Sequence, residues 1–213
     1  MKFLKRVAAV VLTAGILAGA AGCSKSHKAF SYSDVEDIPY SRLAEKYEDV
    51  TVFSSDIMNP TMLEGKPAYI KCKDLDAQSV YNVIVNRFHT LPVAEVKDAF
   101  YMCCWQEDKA GTPTDTTIYI LTFKDSSTAE RIFGALEVSL ILGWPNGKNA
   151  SGKKGYQYST VYFESETGTY ERGLYRSKNT VLFVKGVCND GRDDDLVAEF
   201  CNKLDVVTPV KAK

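Results

Sequence analysis

Cys103 and Cys104 stand side by side in the run AFYMCCWQ, and two adjacent thiols raise the question of redox chemistry. In an extended strand neighbouring side chains point to opposite faces, so the two sulfurs diverge. The C-x-x-C spacing of a working dithiol is absent, and a bridge between adjacent cysteines is strained. Cys104 shares its face with Phe100 and Met102, and Cys103 shares the other with Tyr101 and Trp105. Both read as structural cysteines. The stretch GKNASGKK, residues 147–154, nearly fits the phosphate-cradling G-x-x-x-x-G-K-[ST] loop, but Lys154 stands where the magnesium-binding hydroxyl is needed. A helix is expected before it and a strand after it, the reverse of a phosphate loop, so it reads as a basic, flexible loop. NDGRDDD, residues 189–195, gathers four carboxylates without the alternating spacing and distal Glu of a calcium loop. Acidic residues ahead of an apolar helical run already have a role as caps.

Other chemistry has less to build on. The two histidines, His27 and His89, have no cluster of ligands around them, and no G-x-S-x-G elbow is present. No cofactor or metal is implied. In GYQYSTVYFE, Tyr156, Tyr158 and Tyr162 fall on one face of a strand, with Val161 and Phe163 on the other. If helices cover the second face, the tyrosine face lies open, and exposed tyrosines are enriched in binding surfaces. Cys72 alternates with Ala68 and Ile70 as a small buried residue would. Cys201, on a helix face with Val197 and Leu204, likewise reads as a small buried residue; if any pair is bridged, it is Cys188, at a strand end, with Cys201 on the helix that follows.

Positioning these residues requires an ordered chain, and the apolar periodicity supplies one. Strands are expected at 51–53, 68–73, 99–106, 116–124, 156–164, 170–176 and 180–187. Helices are expected at 39–47, 76–88, from Ser127 with Glu130 at capping-box spacing, and from about 193 to 204. Strand–helix–strand–strand–helix–strand is the order of a ferredoxin-like βαββαβ core, here followed by a C-terminal ββα extension. A second parsing takes a ββα unit used twice. Either one gives an α+β domain, an antiparallel-rich sheet with its helices on one face.

With 45% hydrophobic and 25% charged residues the chain has a globular composition. It opens MKFLKR, and an apolar run from Val7 to about Ala21 follows, the layout of a secretory signal peptide. The run is short for a membrane-spanning helix, which needs ~20 apolar residues. Ala20, Ala21 and Gly22 lead directly into Cys23, after which come Ser24, Lys25 and Ser26. This stretch resembles the lipobox of bacterial lipoproteins, although Ala20 occupies the position most often taken by Leu. The resemblance covers residues 1–23 only. It implies cleavage before Cys23, a diacylglycerol on the Cys23 sulfur and attachment to a membrane by its extracytoplasmic side. Residues 1–22 are then the signal, 23–37 the lipidated cysteine and a polar tether, and 38–213 a single domain.

Removing the signal takes the net charge from −1 to −4, which disfavours nucleic acid as a partner. The expected function is a non-catalytic binding or accessory module at the cell envelope, engaging a protein, peptide or glycan. The alternative is an envelope enzyme working through a thiol, Cys103 or Cys104, or a pair of carboxylates.

Overall fold

The runs TTIYILTF and TVLFVKGV place β-branched and aromatic residues on both alternating sets of positions, as strands buried on two faces do. A computed structural model of the chain describes residues 26–38, 51–53, 68–72, 95–107, 110, 113–142, 144, 146–188 and 195–212. Eight strands form one sheet: β1 (Thr51–Phe53), β2 (Ala68–Cys72), β3 (Val96–Glu107), β4 (Pro113–Phe123), β5 (Lys148–Lys153), β6 (Gln157–Ser165), β7 (Gly168–Ser177) and β8 (Thr180–Cys188). Their spatial order is β1-β2-β3-β4-β8-β7-β6-β5. Only β1 and β2 run parallel; every other neighbouring pair is antiparallel. Among the described residues two α-helices, α1 (Ser126–Glu137) and α2 (Leu196–Lys203), complete an α+β architecture. The helices expected at 39–47 and 76–88 lie outside the described residues.

Pairing at the centre is set by Ile118 opposite Val184 and Tyr119 opposite Phe183. Successive residues therefore feed two separate cores. Tyr101, Tyr119, Leu121, Val161, Leu174 and Phe183 face α1, which contributes Ala129, Ile132, Phe133 and Leu136. Phe100, Met102, Ile118, Ile120, Leu182 and Val184 face α2, which contributes Leu196, Val197, Phe200 and Cys201. The expectation of helices on one face is thus corrected. α1 crosses β4, β7 and β8 and fills its side of the central strands, so α2 must cover the other.

The finer topologies are corrected too. A split βαβ core keeps the two strands of each unit parallel, with another strand between them. Here β2 and β3 are direct antiparallel neighbours. A repeated ββα unit would give two superposable copies, β3-β4-α1 and β7-β8-α2. They are of opposite hand: seen from the side its own helix covers, with β4 or β8 pointing up, β3 and β7 lie on opposite sides.

Local chemistry starts both helices. The Asp125 carboxylate accepts from the Thr128 amide at 2.7 Å, and Ser127 Oγ donates to it at 2.8 Å. The start at Ser127 with a Glu130 capping box is therefore replaced by a cap two residues earlier, at Asp125. Glu130 instead reaches Arg176 at 3.5 Å. Asp195 caps α2, accepting from the Ala198 amide at 2.9 Å, as the capping reading of the acidic run expects. α1 continues into a π-helical turn, Val138–Leu142.

Substituting Phe133→Ala or Phe200→Ala removes a fully buried ring from one face or the other, and each is expected to cost about 3–5 kcal/mol in urea unfolding. A sheet covered on one side only would leave one of the two nearly neutral. The hydrogen bond from the Thr128 amide, helped by those from the Thr128 and Ser127 hydroxyls, holds the Asp125 carboxyl down from 3.8 to about 2. A depressed carboxyl contributes stability above its unfolded value and loses it as the pH falls through the folded one. Asp125→Ala should therefore lower the melting temperature at about pH 5, with the difference from the parent shrinking towards about pH 2.

Candidate functional site

The tyrosine face is closed. Tyr156 and Tyr158 are buried in the α2-side core, and Tyr162 is half-buried with the Lys148 ammonium 5.2 Å from its ring centroid. What covers them is the end of the chain. The Val207 amide donates to the Tyr156 hydroxyl at 2.7 Å, while the Tyr175 hydroxyl donates to the Val207 carbonyl at 2.7 Å. Both backbone polar groups of Val207 are thus satisfied by phenols. Burial pushes both phenols above their usual range, Tyr175 most, so they stay protonated. Gly173 makes room for this: a Cβ there would collide with the Tyr175 ring. The expected binding surface made of Tyr156, Tyr158 and Tyr162 is accordingly corrected: Tyr156 and Tyr158 are core residues, and of the three Tyr162 alone keeps part of its surface open.

No disulfide joins Cys188 and Cys201; both carry buried thiols. Cys201 points instead at Tyr175, its sulfur 3.5 Å from the hydroxyl. Desolvation raises the Cys201 thiol far above the usual range, which makes it a poor nucleophile. Cys103 and Cys104 sit in β3 opposite Thr117 and Thr116; their side chains lie outside the described residues. The basic loop is also corrected. Residues 148–153 form the edge strand β5, with Asn149 opposite Val161 and Ser151 opposite Ser159. Lysines along an exposed edge are a common guard against unwanted strand pairing.

Residues expected to act as a tether help to line a polar hollow. From His27 onward the chain is seated on the sheet. The His27 amide donates to the Gly155 carbonyl at 3.2 Å, Ser177 Oγ donates to the His27 carbonyl at 3.0 Å, and the Phe30 amide donates to Thr180 Oγ1 at 3.0 Å. Phe30 and Val35 are buried, and Tyr32 stacks on Phe100 at 5.2 Å. The part of the expected tether from His27 to Val35 is thus packed against the sheet. Phe30, Tyr32 and Val35 were visible within an otherwise polar run and are the signal that points to packing.

The His27 ring lies between two carbonyls, Nε2 2.9 Å from that of Leu204 and Nδ1 2.7 Å from that of Lys28. Leu204 directly follows α2. Around this ring is a hollow of about 450 Å³ lined by Ser26, His27, Lys28, Lys154, Tyr156 and Asp205. A second, of about 300 Å³, lies on the other side of Tyr156 and is lined by Lys153, Gln157, Arg176 and Lys178 among others. Gly155, with φ 77°, makes the turn between β5 and β6 that separates them. The lining is cationic apart from Asp205 and carries no thiol. Its chemistry suits binding an anion rather than making a covalent intermediate. Among the described residues no three His, Cys, Asp or Glu side chains gather as metal ligands do, and no helix is long and apolar enough to cross a membrane.

In comparisons with known proteins, the chain matches no family model, no curated protein and no solved structure.

Tyr175→Phe leaves the buried Val207 carbonyl without its donor, and a loss of about 1–3 kcal/mol in urea unfolding is expected. Tyr162→Phe, at a half-buried position whose hydroxyl bonds the exposed Lys148 ammonium, serves as the control and should change stability by less than about 0.5 kcal/mol.

Proposed function

We propose that the protein is a lipid-anchored, extracytoplasmic lipoprotein whose α+β domain serves as a binding or accessory module at the cell envelope. The observation that carries this reading is the sequence of the first 23 residues: a basic start, an apolar run, and small residues ending at Cys23. Two acyl chains on one residue give lasting membrane attachment where a single chain does not. His27, four residues after that cysteine, is already hydrogen-bonded to the sheet, which suits a domain held close to its anchor.

Accessory binding is favoured over catalysis by the character of the polar site. Cationic hollows beside a shielded thiol offer recognition of charge and little reactivity. An envelope enzyme working through Cys103 or Cys104 would need an exposed thiolate, which a thiol-reactivity profile of the intact protein detects.

Mass spectrometry of the N-terminal peptide from the membrane fraction checks the anchor. The expected product starts at Cys23 and carries a diacylglycerol, and Cys23→Ser should shift the protein out of that fraction. An unmodified Cys23 in a secreted, soluble product would overturn the proposal.

A further inference from the structure

The geometry points to the end of the sheet nearest the N-terminus as a docking surface for anionic phospholipid, with the domain resting on that end. This inference rests on the lipid anchor proposed above and adds which surface meets the membrane and what lipid charge it selects.

Reach comes first. Ser26 is three residues beyond Cys23, at most ~11 Å of fully extended chain. His27 is pinned to Gly155, Ser177 and Leu204, so the end of the sheet bearing the β5–β6 turn, the β7–β8 turn and the end of α2 cannot leave the anchor. Electrostatic attraction to a charged surface persists over ~8–10 Å in physiological salt, the same scale as the tether.

Charge then selects the lipid. That end carries Lys28, Lys124, Lys153, Lys154, Lys178 and Lys203, all exposed. The register brings them together: β4 ends at Phe123 beside the β7–β8 turn, its amide donating to the Asn179 carbonyl at 2.9 Å, and Lys153 and Lys178 line one hollow. Lys28 is paired with Asp34 at 2.8 Å. Among the described residues no carboxylate makes a salt bridge with Lys124, Lys153, Lys154 or Lys178, although Asp125 interacts electrostatically with Lys124, Asp205 lines a hollow with Lys154, and Glu95 and Asp98 stand at the same end of the sheet. At the opposite end, Glu164 and Glu166 are exposed at the β6–β7 turn, and Lys148 there is paired with Glu164 at 3.5 Å. A chain that is −4 beyond its signal thus turns its unpaired positive charge toward the one place where the membrane must be. A juxtamembrane basic cluster is attracted by anionic headgroups.

The test is amine footprinting of the full-length lipidated protein, reconstituted into phosphatidylcholine vesicles with or without about a third phosphatidylglycerol. Acetylation of each lysine is followed by peptide mass spectrometry. Lys153, Lys154 and Lys178 are expected to react at least about threefold more slowly on the anionic vesicles, with the protection lost at about 1 M salt. Lys148 should react equally on both. If Cys23 is acylated and the lysines react alike on both vesicles, or Lys148 slows as much as Lys153, the docking surface is wrong while the anchor stands. If the same spectra show Cys23 without acyl chains, the anchor reading fails and this inference with it.

Discussion

Burial of the β4–β8 pair on both faces is the constraint from which the rest of the molecule follows. Their antiparallel hydrogen bonds satisfy the backbone, and alternation then sends Tyr119 and Phe183 one way and Ile118 and Val184 the other. Neither face can be left to water. On one side a single twelve-residue helix with its π-helical extension provides the cover. On the other, an eight-residue helix is too short to be stable by itself. That face is finished by pieces from both ends of the chain, and the tyrosines of β6 and β7 hold the C-terminal piece in place by hydrogen bonds.

Much of the sheet was legible in the residues, because strands of this kind announce themselves. Every strand expected between 99 and 187 is present within a few residues, and Asp195 caps its helix as the acidic run implied. The arrangement of those strands was not legible. TTIYILTF and TVLFVKGV are apolar on both alternating sets, which signals two covered faces, yet a one-sided sheet was expected from the order of the elements. Order along the chain does not reveal which strands become neighbours, because pairing is decided by long-range burial. Tyr156 and Tyr158 misled for the same reason: a phenol suits a wet surface and also suits a buried backbone that needs a partner.

The polar site was less visible still. His27 looked idle in a hydrophilic segment, and its partner is a carbonyl 177 residues away. No local pattern encodes such a contact. Lys153 and Lys154 read as a loop because glycines surround them, whereas β6 supplies the partner that makes residues 148–153 a strand. Cys188 and Cys201 were close enough in sequence to suggest a bond, but helix α2 turns the Cys201 sulfur toward Tyr175. Chemistry at the N-terminal end of the sheet emerges only once the fold has brought five separate segments to one edge.

The joining of His27 to Leu204, and of Tyr156 to Val207, sets the order in which the chain can close. A ribosome releases the first of these residues long before the last, so the α2-side core stays open until residues 204–207 have emerged. Until then Ile118, Leu182 and Tyr175 lack part of their cover, which leaves a nascent chain sticky on one side. A contact between residues 177 apart is also slow to find, since it closes a long loop. A native-like sheet with only α1 docked is therefore the expected partly folded species. It would need shielding for as long as residues 204–207 were delayed.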